Sequence, residues 1–584
     1  MMLDTTITHQ RPLPVGITKG PGESTHEYTF VSRDDAQELK NGEYVYYELD
    51  ELESATIAAT ASAPASNGSK PGGARRVLGR ILKRVPLQLY PDTFLAEPEI
   101  SPSQVAAMVG YDARANELFE LHVAIMGYYD ATSASFINPW IPPQSGKQIF
   151  LADDLMLANI LSRKHTREPG SATVGSLLTR TPDAVPVVLS VKDVVSTHLA
   201  IIASTGAGKS YLASVLIEEL MQPYNKACVL IIDPHGEYSI LDQLPNFPQF
   251  HEAAEGRRPA YQAVVRVYKP EQVKVRISSL DMGDMRHLLP EMTEKQQHLL
   301  SRALRRVREQ KRSTPWGAQD LIGAVKAVSK QKGDEESEGA DDSSTVHALE
   351  WRIQQRFVDN FTFDDIQHLD LPEIFKPGQC TVLPLNEIDE RDQQVVVATL
   401  LRRLNRARMD TERGKVHSGE SYLPYPVFVL IEEAHHFAPG GAEVVSTAIL
   451  KTVLAEGRKF GVGVGLISQR PGKLDADVLS QCQTQCIMRI VNEIDQKSVA
   501  AAIEGVGREL LDNLPALSKG QVIIAGAAVN TPVICRVRPR ITRHGGESKD
   551  APDMWRQYFS QESQESRRRH GAPLNGNRDF NLLR

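Results

Sequence analysis

One short segment, Ala203-Ser-Thr-Gly-Ala-Gly-Lys-Ser210, limits the fold of this chain more than any other feature. An apolar run precedes it, and an amphipathic, helix-forming run follows it. Gly206 and Gly208 allow backbone N–H groups to curl around a phosphate, and the following helix adds the positive end of its dipole. The standard pattern has glycine where Ala203 stands, which alanine can replace if that residue keeps a negative φ. We therefore predict a phosphate-binding loop between a buried strand and a helix.

This loop predicts ATP and Mg²⁺ as ligands. Lys209 would reach the β- and γ-phosphates, and the Ser210 hydroxyl would hold the metal. Asp233 ends a second apolar run and would lie beside the loop in a parallel sheet. A glycine-rich turn without a ligand, and a strand-ending turn at Asp233, are the alternatives. The candidate nucleotide-binding residues are Ser204, Thr205, Gly206, Ala207, Gly208, Lys209, Ser210 and Asp233.

From about residue 187 onward, apolar runs alternate with helical segments. The runs predicted to be strands are 198–203, 229–233, 380–385, 427–431, 462–468 and 486–490. This alternation predicts an α/β fold with a mostly parallel sheet that helices cover on both faces.

The α/β core is predicted to consist of two parts, residues 187–280 and 377–546. Between them lies a helix-rich insert, 281–376, with an acidic run at 334–342 that contains six acids in nine residues. We expect this run to be a solvated loop, because it has many like charges and no basic residue.

Two adjacent glutamates follow the apolar run at 427–431, and they are the candidate catalytic acids. Charged groups directly after five apolar residues are costly unless something binds there. We assign Glu432 to the metal and Glu433 to the attacking water as general base. An acid pair capping a helix is the alternative. Gln469 follows the run at 462–468 and, from a strand next to the phosphate loop, would sense the γ-phosphate; an ordinary polar loop is the other interpretation.

The first 150 residues have a different pattern from the rest of the chain. Short β-like runs, such as 27–31 and 44–49, are broken by glycine and proline, which is typical of a small barrel or sandwich. Residues 54–74 are small, polar and rich in Pro and Gly, so we expect a flexible loop there. Residues 547–584 are polar and predict a C-terminal tail.

Charge and apolar content exclude several classes of protein. The 66 basic and 73 acidic residues give a net charge of −7, which excludes a globally basic nucleic-acid coat protein but allows a local basic channel. No run of 18 apolar residues predicts a membrane span, and no secretory signal is visible. Five cysteines do not make a disulfide framework, and Cys482 and Cys486 are expected to be buried thiols, so the predicted location is the cytoplasm.

Several motifs, taken in order, resemble the HerA ATPases of the HerA–FtsK branch of P-loop motors. They are 203–210, 233–238 (DPHGEY), 430–435 (LIEEAH), 456–461 (EGRKFG), 468–471 (SQRP) and 543–546 (RHGG). The resemblance runs from about residue 13 to 546. It implies a RecA-like P-loop ATPase core with a helical insert, preceded by a small N-terminal β-barrel of the kind shared with rotary ATP synthases.

The resemblance also implies an assembly. It implies a homohexameric ring with ATP sites between subunits and double-stranded DNA through the central channel. It implies that Arg458 acts in trans on the neighbouring subunit's ATP, with Arg489 as the second candidate and a cation stabilising a helix C-terminus as the alternative for Arg458. Family members work with a nuclease such as NurA in DNA-end resection, or with nuclease-like or sirtuin-like effectors in antiviral defence, so a partner of that kind is expected.

A chain of net charge −7 that holds DNA must concentrate its cations. The candidate segments are 302–312, 402–408, 438–443 and 469–475, although a solvated face is the favoured interpretation of 302–312. Arg470 and Lys473 are the preferred contacts, because loops after catalytic strands can move with ATP hydrolysis. We thus predict an ATP-hydrolysing motor that translocates on or unwinds double-stranded DNA. The alternatives are a nucleotide-dependent ring scaffold that activates a partner effector with little translocation, and a rotary or protein-secretion type motor.

Overall fold

The computed structural model of the 584-residue chain describes most of its length. The described residues are 13–21, 25–33, 38–49, 75–87, 101, 104, 118–130, 135–312, 314–333, 341–416, 419, 421–502, 508–543 and 551–559. The predicted flexible loop at 54–74 lies outside them, as does the acidic run 334–342 except for its last two residues, which begin a helix.

An antiparallel barrel forms the N-terminal part of the described chain. Its strand order is β2-β1-β7-β3-β4-β5-β6, and a further pairing of β2 with β5 closes the first six into a ring. Aromatic and β-branched side chains such as Tyr28, Phe30, Tyr47 and Val123 alternate inward and fill it. The strands are β1 (Pro14–Pro21), β2 (Glu27–Ser32), β3 (Tyr44–Glu48), β4 (Arg76–Leu87), β5 (Leu118–Asp130), β6 (Ser135–Ile137) and β7 (Gln148–Leu151).

A second, larger sheet forms the centre of the molecule. The remaining described strands are β8 (Ser171–Leu177), β9 (Pro186–Ser190), β10 (Leu199–Ile202), β11 (Cys228–Asp233), β12 (His251–Glu252), β13 (Tyr261–Gln262), β14 (Val264–Val267), β15 (Val275–Arg276), β16 (Phe363–Asp364), β17 (Gln379–Pro384), β18 (Val427–Ile431), β19 (Val462–Ser468), β20 (Thr484–Ile487), β21 (Gln521–Gly526) and β22 (Val533–Val537). In the described part of the chain the sheet order is β14-β17-β11-β18-β19-β10-β20-β21-β22-β8-β9. The run from β14 to β20 is parallel, and the strands beyond β20 are antiparallel.

Helices cover both faces of this sheet, and the predicted α/β fold class with its N-terminal barrel is confirmed. Apart from the edge strand β14, the strands of the parallel run are fully buried, which is why their sequences are mostly continuous apolar runs. The described helices are α1 (Asp154–Ile160), α2 (Val191–Ser196), α3 (Lys209–Leu220), α4 (Met282–Leu288), α5 (Glu294–Gln310), α6 (Ala318–Gly333), α7 (Asp341–Ile353), α8 (Leu371–Ile374), α9 (Glu390–Glu412), α10 (Val445–Phe460), α11 (Ala476–Ser480), α12 (Glu493–Ala502) and α13 (Arg508–Leu511).

Two predicted elements differ from the structure at their boundaries. The helical segment predicted between the runs at 427–431 and 462–468 begins only at Val445, after a 3₁₀ turn at Ala434–His436 and a loop. Pro439, Gly440 and Gly441 explain the delay, because proline and glycine interrupt a helix. The last parallel strand begins at Thr484, earlier than the predicted 486, and ends at Ile487.

The helical insert, α4 to α8, shares one hydrophobic core with the central sheet. Two arginines form ion pairs that hold it against α9, and the carboxylates of Asp284 and Asp392 are buried. Arg402 pairs with Asp281 and Asp284, and Arg356 pairs with Asp392. Because its core and ion pairs are continuous with the sheet, the insert is part of the same packed body.

The segment 538–542 after β22 packs on α3, the helix that begins in the phosphate loop. The fully buried Glu218 carboxylate accepts hydrogen bonds from the backbone N–H groups of Ile541 and Thr542 and lies 3.0 Å from Arg538 Nη1. The neighbouring Glu219 lies 2.8 Å from Arg538 Nη2. Every oxygen of this buried charge cluster therefore has a partner.

Glu218→Ala should destabilise the protein by about 3 kcal/mol, because it leaves two buried backbone N–H groups without their acceptor and removes one of the two carboxylates that pair with Arg538. The urea midpoint, followed by tryptophan fluorescence, measures the loss. Lys19→Ala is the control: its ion pair with Glu120 is on the surface, so the expected change is under about 1 kcal/mol. Equal midpoints for the two variants would contradict this account of the segment.

Residues 543–584 form a separate unit, of which 551–559 are described as a helix. Its aromatic side chains Trp555, Tyr558 and Phe559 are exposed.

All five cysteines are buried and unpaired, as expected for Cys482 and Cys486. Burial raises the pKa of the Cys486 thiol to about 12, so it is an unreactive thiol at neutral pH. Among the described helices, none combines the length and apolarity that a membrane crossing requires.

Candidate nucleotide-binding and catalytic site

The phosphate loop has the backbone conformation that its glycines allow. Gly206 and Gly208 adopt left-handed φ angles of +78° and +112°, and α3 begins immediately after them. A Cβ on Gly208 would lie 3.2 Å from Met488 Cε, so a larger residue there would be strained and crowded. Ala203 is buried at the end of β10 and has no left-handed φ, which is the condition for alanine at this position.

Two buried carboxylates meet the lysine of this loop. Lys209 Nζ lies 3.6 Å from Glu432 Oε1 and 3.5 Å from Glu433 Oε1. The phenol of the buried Tyr238 donates a hydrogen bond to Glu432 Oε2 at 2.8 Å. One ammonium group thus lies within 3.6 Å of two carboxyl groups. These are the kinds of group that position phosphates and a metal ion.

The environments of the two glutamates shift their pKa values in opposite directions. Burial raises the pKa of Glu432 to about 7, and the Lys209 charge and the Tyr238 hydrogen bond only partly oppose it. Burial also acts to raise the pKa of Glu433, but the His435 side chain and the Lys209 charge outweigh it and leave that pKa below its ordinary value. Glu433 is therefore ionised at neutral pH, as a general base must be.

The residues present fit a magnesium–nucleotide ligand. Glu432 Oε1 is buried without a hydrogen-bond partner among the described residues, although a buried carboxylate oxygen normally has one. The space that a Cβ on Gly206 would occupy is open, with no atom within 4 Å. Ser210 Oγ and Glu432 Oε1 are oxygen donors of the type that Mg²⁺ prefers, and the loop's N–H groups suit phosphate oxygens.

Asp233 is not beside the phosphate loop, contrary to our expectation. Its strand β11 is separated from β10 by β18 and β19. Its carboxylate accepts hydrogen bonds from the N–H groups of Gly236, Glu237 and Tyr238 at 2.8, 3.1 and 2.9 Å. The error has a physical cause, because strand order depends on long-range pairing that a strand-end motif does not show.

A second acid in the turn that Asp233 caps does contact the phosphate loop. Glu237 Oε2 accepts a hydrogen bond from Ser210 Oγ at 2.5 Å. Glu237, Tyr238 and His435 were not among our candidates, although all three lie within the motifs that carry the family resemblance. That resemblance was the available signal for them.

Gln469 lies beside the phosphate loop. Its strand β19 is the direct neighbour of β10, and Thr205 Oγ1 donates a hydrogen bond to Gln469 Oε1 at 2.7 Å. The backbone N–H of Gln469 also donates to the Glu433 carboxylate. One residue thus contacts both the phosphate loop and the glutamate.

Arg458 lies at the opposite edge of the sheet from the phosphate loop. It is exposed in the last turn of α10, which returns the chain to the start of β19. A seven-residue strand spans about 20 Å, so Arg458 cannot reach its own subunit's Lys209. Arg489 is nearer: its carbonyl accepts a hydrogen bond from Ser204 N at 2.9 Å, and its side chain is exposed.

Arg470 and Lys473 are exposed on the loop that follows Gln469. This loop is tied to the connection after Glu433, because Gly440 N donates to Lys473 O at 2.7 Å and Asp475 N donates to Ala438 O at 2.9 Å. The two loops after the catalytic strands therefore form one paired unit.

The other candidate DNA segments have different surroundings. Arg402 and Arg408 have structural roles: Arg402 anchors the insert, and the buried Arg408 donates to Phe460 O at 2.8 Å. This excludes the pair as a DNA surface. Arg305 and Arg308 of α5, together with Arg312 just beyond its end, line an open cavity of about 340 Å³.

Comparison with known proteins finds sequence relatives that share one family name. The family described as "Helicase HerA, central domain" matches residues 172–404. The DNA double-strand break repair helicase HerA of Pyrococcus furiosus is 30% identical over 461 residues, which cover 71% of this chain and 78% of the relative. The protein of the same name from Saccharolobus solfataricus is 28% identical over 406 residues, covering 69% and 74%. Among solved structures, VirB4 of Thermoanaerobacter pseudethanolicus aligns with a TM-score of 0.46 at 13% identity, covering 65% of this chain and 98% of that one.

Proposed function

This chain belongs to the HerA helicase family, and on that premise we propose that it uses ATP hydrolysis to translocate on or unwind double-stranded DNA. It is a P-loop enzyme of the ATP-hydrolysing type. One observation supports the catalytic part most directly: Glu433, ionised and buried, lies 3.5 Å from the Lys209 ammonium at the carboxyl edge of the sheet. Relatives that are named DNA double-strand break repair helicases support the DNA part.

The arrangement suggests a role for each side chain. The loop 204–210 would bind the phosphates through its N–H groups, and Lys209 would exchange the two glutamates for the β- and γ-phosphates. Ser210 and Glu432 would hold Mg²⁺, which supplies charge neutralisation for the phosphates. Glu433 would orient the attacking water and accept its proton, and Gln469 would contact the γ-phosphate.

The assembly is part of the same proposal. Because Arg458 lies at the far edge of its own sheet, a role in hydrolysis requires the site of a neighbouring subunit, as in a homohexamer with DNA through a central channel. A partner effector, a NurA-like nuclease in DNA-end processing or an effector in antiviral defence, would act with this ring. Five unpaired buried thiols are consistent with a cytoplasmic location.

Linear duplex DNA should stimulate steady-state ATP hydrolysis, and the stimulation should fall as salt rises. The reason is that phosphate contacts release counterions, which added salt opposes. Hydrolysis is measured with and without DNA at two salt concentrations. ATP hydrolysis at the same rate with and without DNA would instead favour the nucleotide-dependent ring scaffold, and its partner effector should then be sought.

Lys473→Ala should weaken DNA binding and reduce the dependence of log affinity on log salt by about one unit for each phosphate that the lysine neutralises. Fluorescence anisotropy with a labelled duplex measures both quantities. Lys192→Ala is the matched control: Lys192 is also exposed, but it lies in α2, which leads into the amino end of β10. If the two variants lose affinity equally, the loop 469–475 does not bind the duplex.

A further inference from the structure

The Glu433 carboxylate lies against three groups. Lys209 Nζ lies 3.5 Å from Oε1, and the backbone N–H of Gln469 donates to the carboxylate. His435 Nδ1 lies 3.3 Å from Oε2, an oxygen that has no hydrogen bond of good geometry among the described residues. In the proposed function the phosphates take Lys209, which leaves His435 and Gln469. Both of these depend on the end of β19, so this strand end restrains the glutamate once nucleotide is bound.

The Glu433 backbone is itself strained. Its φ and ψ are both 48°, in the left-handed region that non-glycine residues rarely adopt. Such a conformation persists only where surrounding contacts impose it, and it is concentrated at sites that change state. A change in those contacts therefore has a direct effect on the direction of this carboxylate.

His435 faces two competing oxygens. Its Nδ1 lies 3.3 Å from Glu433 Oε2 and 3.3 Å from Ser468 Oγ. The contact with Ser468 has the geometry of a hydrogen bond, whereas the contact with Glu433 does not. A hydrogen on Nδ1 is attracted to both oxygens, because a carboxylate can only accept and the serine oxygen can also accept. Ser468 Oγ also accepts from Arg470 N at 3.1 Å, which occupies part of its accepting capacity.

Arg470 begins the exposed loop that carries Lys473. If this loop shifts, the hydrogen bond from Arg470 N to Ser468 Oγ breaks, and the hydroxyl becomes the better acceptor for the His435 N–H. The pairing of Lys473 O with Gly440 N carries the same movement to the connection after Glu433. The loop thus has two physical links to the glutamate.

We propose that Ser468 and His435 form a relay through which DNA contact at Arg470 and Lys473 releases Glu433 for hydrolysis. The inference rests on the proposed function. Without DNA, the His435 N–H lies between Glu433 and Ser468, 3.3 Å from each oxygen, and its attraction turns the carboxylate away from the water. With DNA, that N–H goes to Ser468, and the carboxylate is free to accept a proton. His435 is here a positioning residue.

A second explanation of the histidines is a metal site, since His235 and His436 lie near His435, with ring centres of His435 and His436 4.5 Å apart. The described residues, however, contain no group of three side chains placed to hold a metal ion. The hydrogen-bond relay accounts for His435 without one.

The test compares ATP turnover with and without linear duplex in three variants of the full chain. His435→Leu should raise DNA-free turnover by about fivefold and remove the response to DNA, because the restraint on Glu433 is gone. Ser468→Ala should have the opposite effect: turnover with DNA should fall to the DNA-free value of the wild type, because no second acceptor remains. His435→Gln keeps an N–H donor and should retain most of the DNA response.

His436→Leu is the matched control, since that ring belongs to the same turn but packs against His435 and His235. It should keep the wild-type ratio of DNA-stimulated to DNA-free turnover. Structural damage would lower both rates, so a rise in DNA-free turnover is specific to the relay. A stimulated wild type with an unchanged ratio in His435→Leu and Ser468→Ala would overturn the relay alone. A wild type that ignores duplex would overturn the proposed DNA function as well.

Discussion

Glu433→Gln should reduce ATP turnover by about 10²–10⁴-fold while nucleotide binding is kept. The substitution removes the general base, but the glutamine side chain has nearly the same size and the phosphate loop that contains Lys209 is unchanged. Lys209 then has Glu432 as its remaining carboxylate neighbour, at 3.6 Å, so the phosphate-binding geometry is retained. Turnover is measured by phosphate release, and binding by titration with a fluorescent ATP analogue.

Glu443→Gln is the matched control for this change. Glu443 is exposed in the same connection after β18, so turnover without DNA should stay within about twofold of the wild type. Wild-type turnover in Glu433→Gln would show that another group activates the water. Glu237, which accepts a hydrogen bond from Ser210, would then be the next acid to test.

Arg458→Ala should lower turnover by about 10³-fold or more if the guanidinium stabilises the transition state in a neighbouring subunit. Lys459→Ala removes an adjacent exposed cation from the same helix end and should have little effect. The readout is again phosphate release at saturating ATP. A loss of less than about tenfold in Arg458→Ala would match a cation that merely stabilises a helix C-terminus.

Mixed rings show which subunit Arg458 serves. In an equal mixture of Arg458→Ala and Lys209→Ala subunits, about a quarter of the interfaces of a closed symmetric ring would combine an intact Lys209 with an intact Arg458. Part of the activity should therefore return, although each variant alone is inactive. No recovery at any ratio would contradict the role in trans.

The local parts of the site could be predicted from the sequence, because each depends on adjacent residues. The phosphate loop is a continuous segment, and its glycines, lysine and helix start are all visible in it. Glu432 and Glu433 stand out because two charges follow five apolar residues. The fully buried strands were visible for the same reason.

The parts that depend on strand order could not be predicted in this way. Asp233 and Gln469 were both expected beside the loop, but of the two only Gln469 is there, because β19 and not β11 pairs with β10. The contact between His435 and Ser468 joins residues 33 positions apart, and no local pattern encodes it. Pro439 indicates that α10 begins late, but the general helical pattern between the two apolar runs does not show where the helix starts.

The antiparallel end of the large sheet has a consequence for how the chain is made. Strand β8 pairs with β22, which is synthesised some 360 residues later, and Glu218 on α3 finds its partners only when Thr542 has emerged. Such distant pairings delay folding, because the entropy of closing a long loop must be overcome before the contacts form. Nascent chains that lack residues 533–542 should leave both the phosphate-loop helix and a sheet edge uncovered, which makes them targets for chaperones or aggregation. The nucleotide site therefore cannot become stable until residues 533–542 have been synthesised.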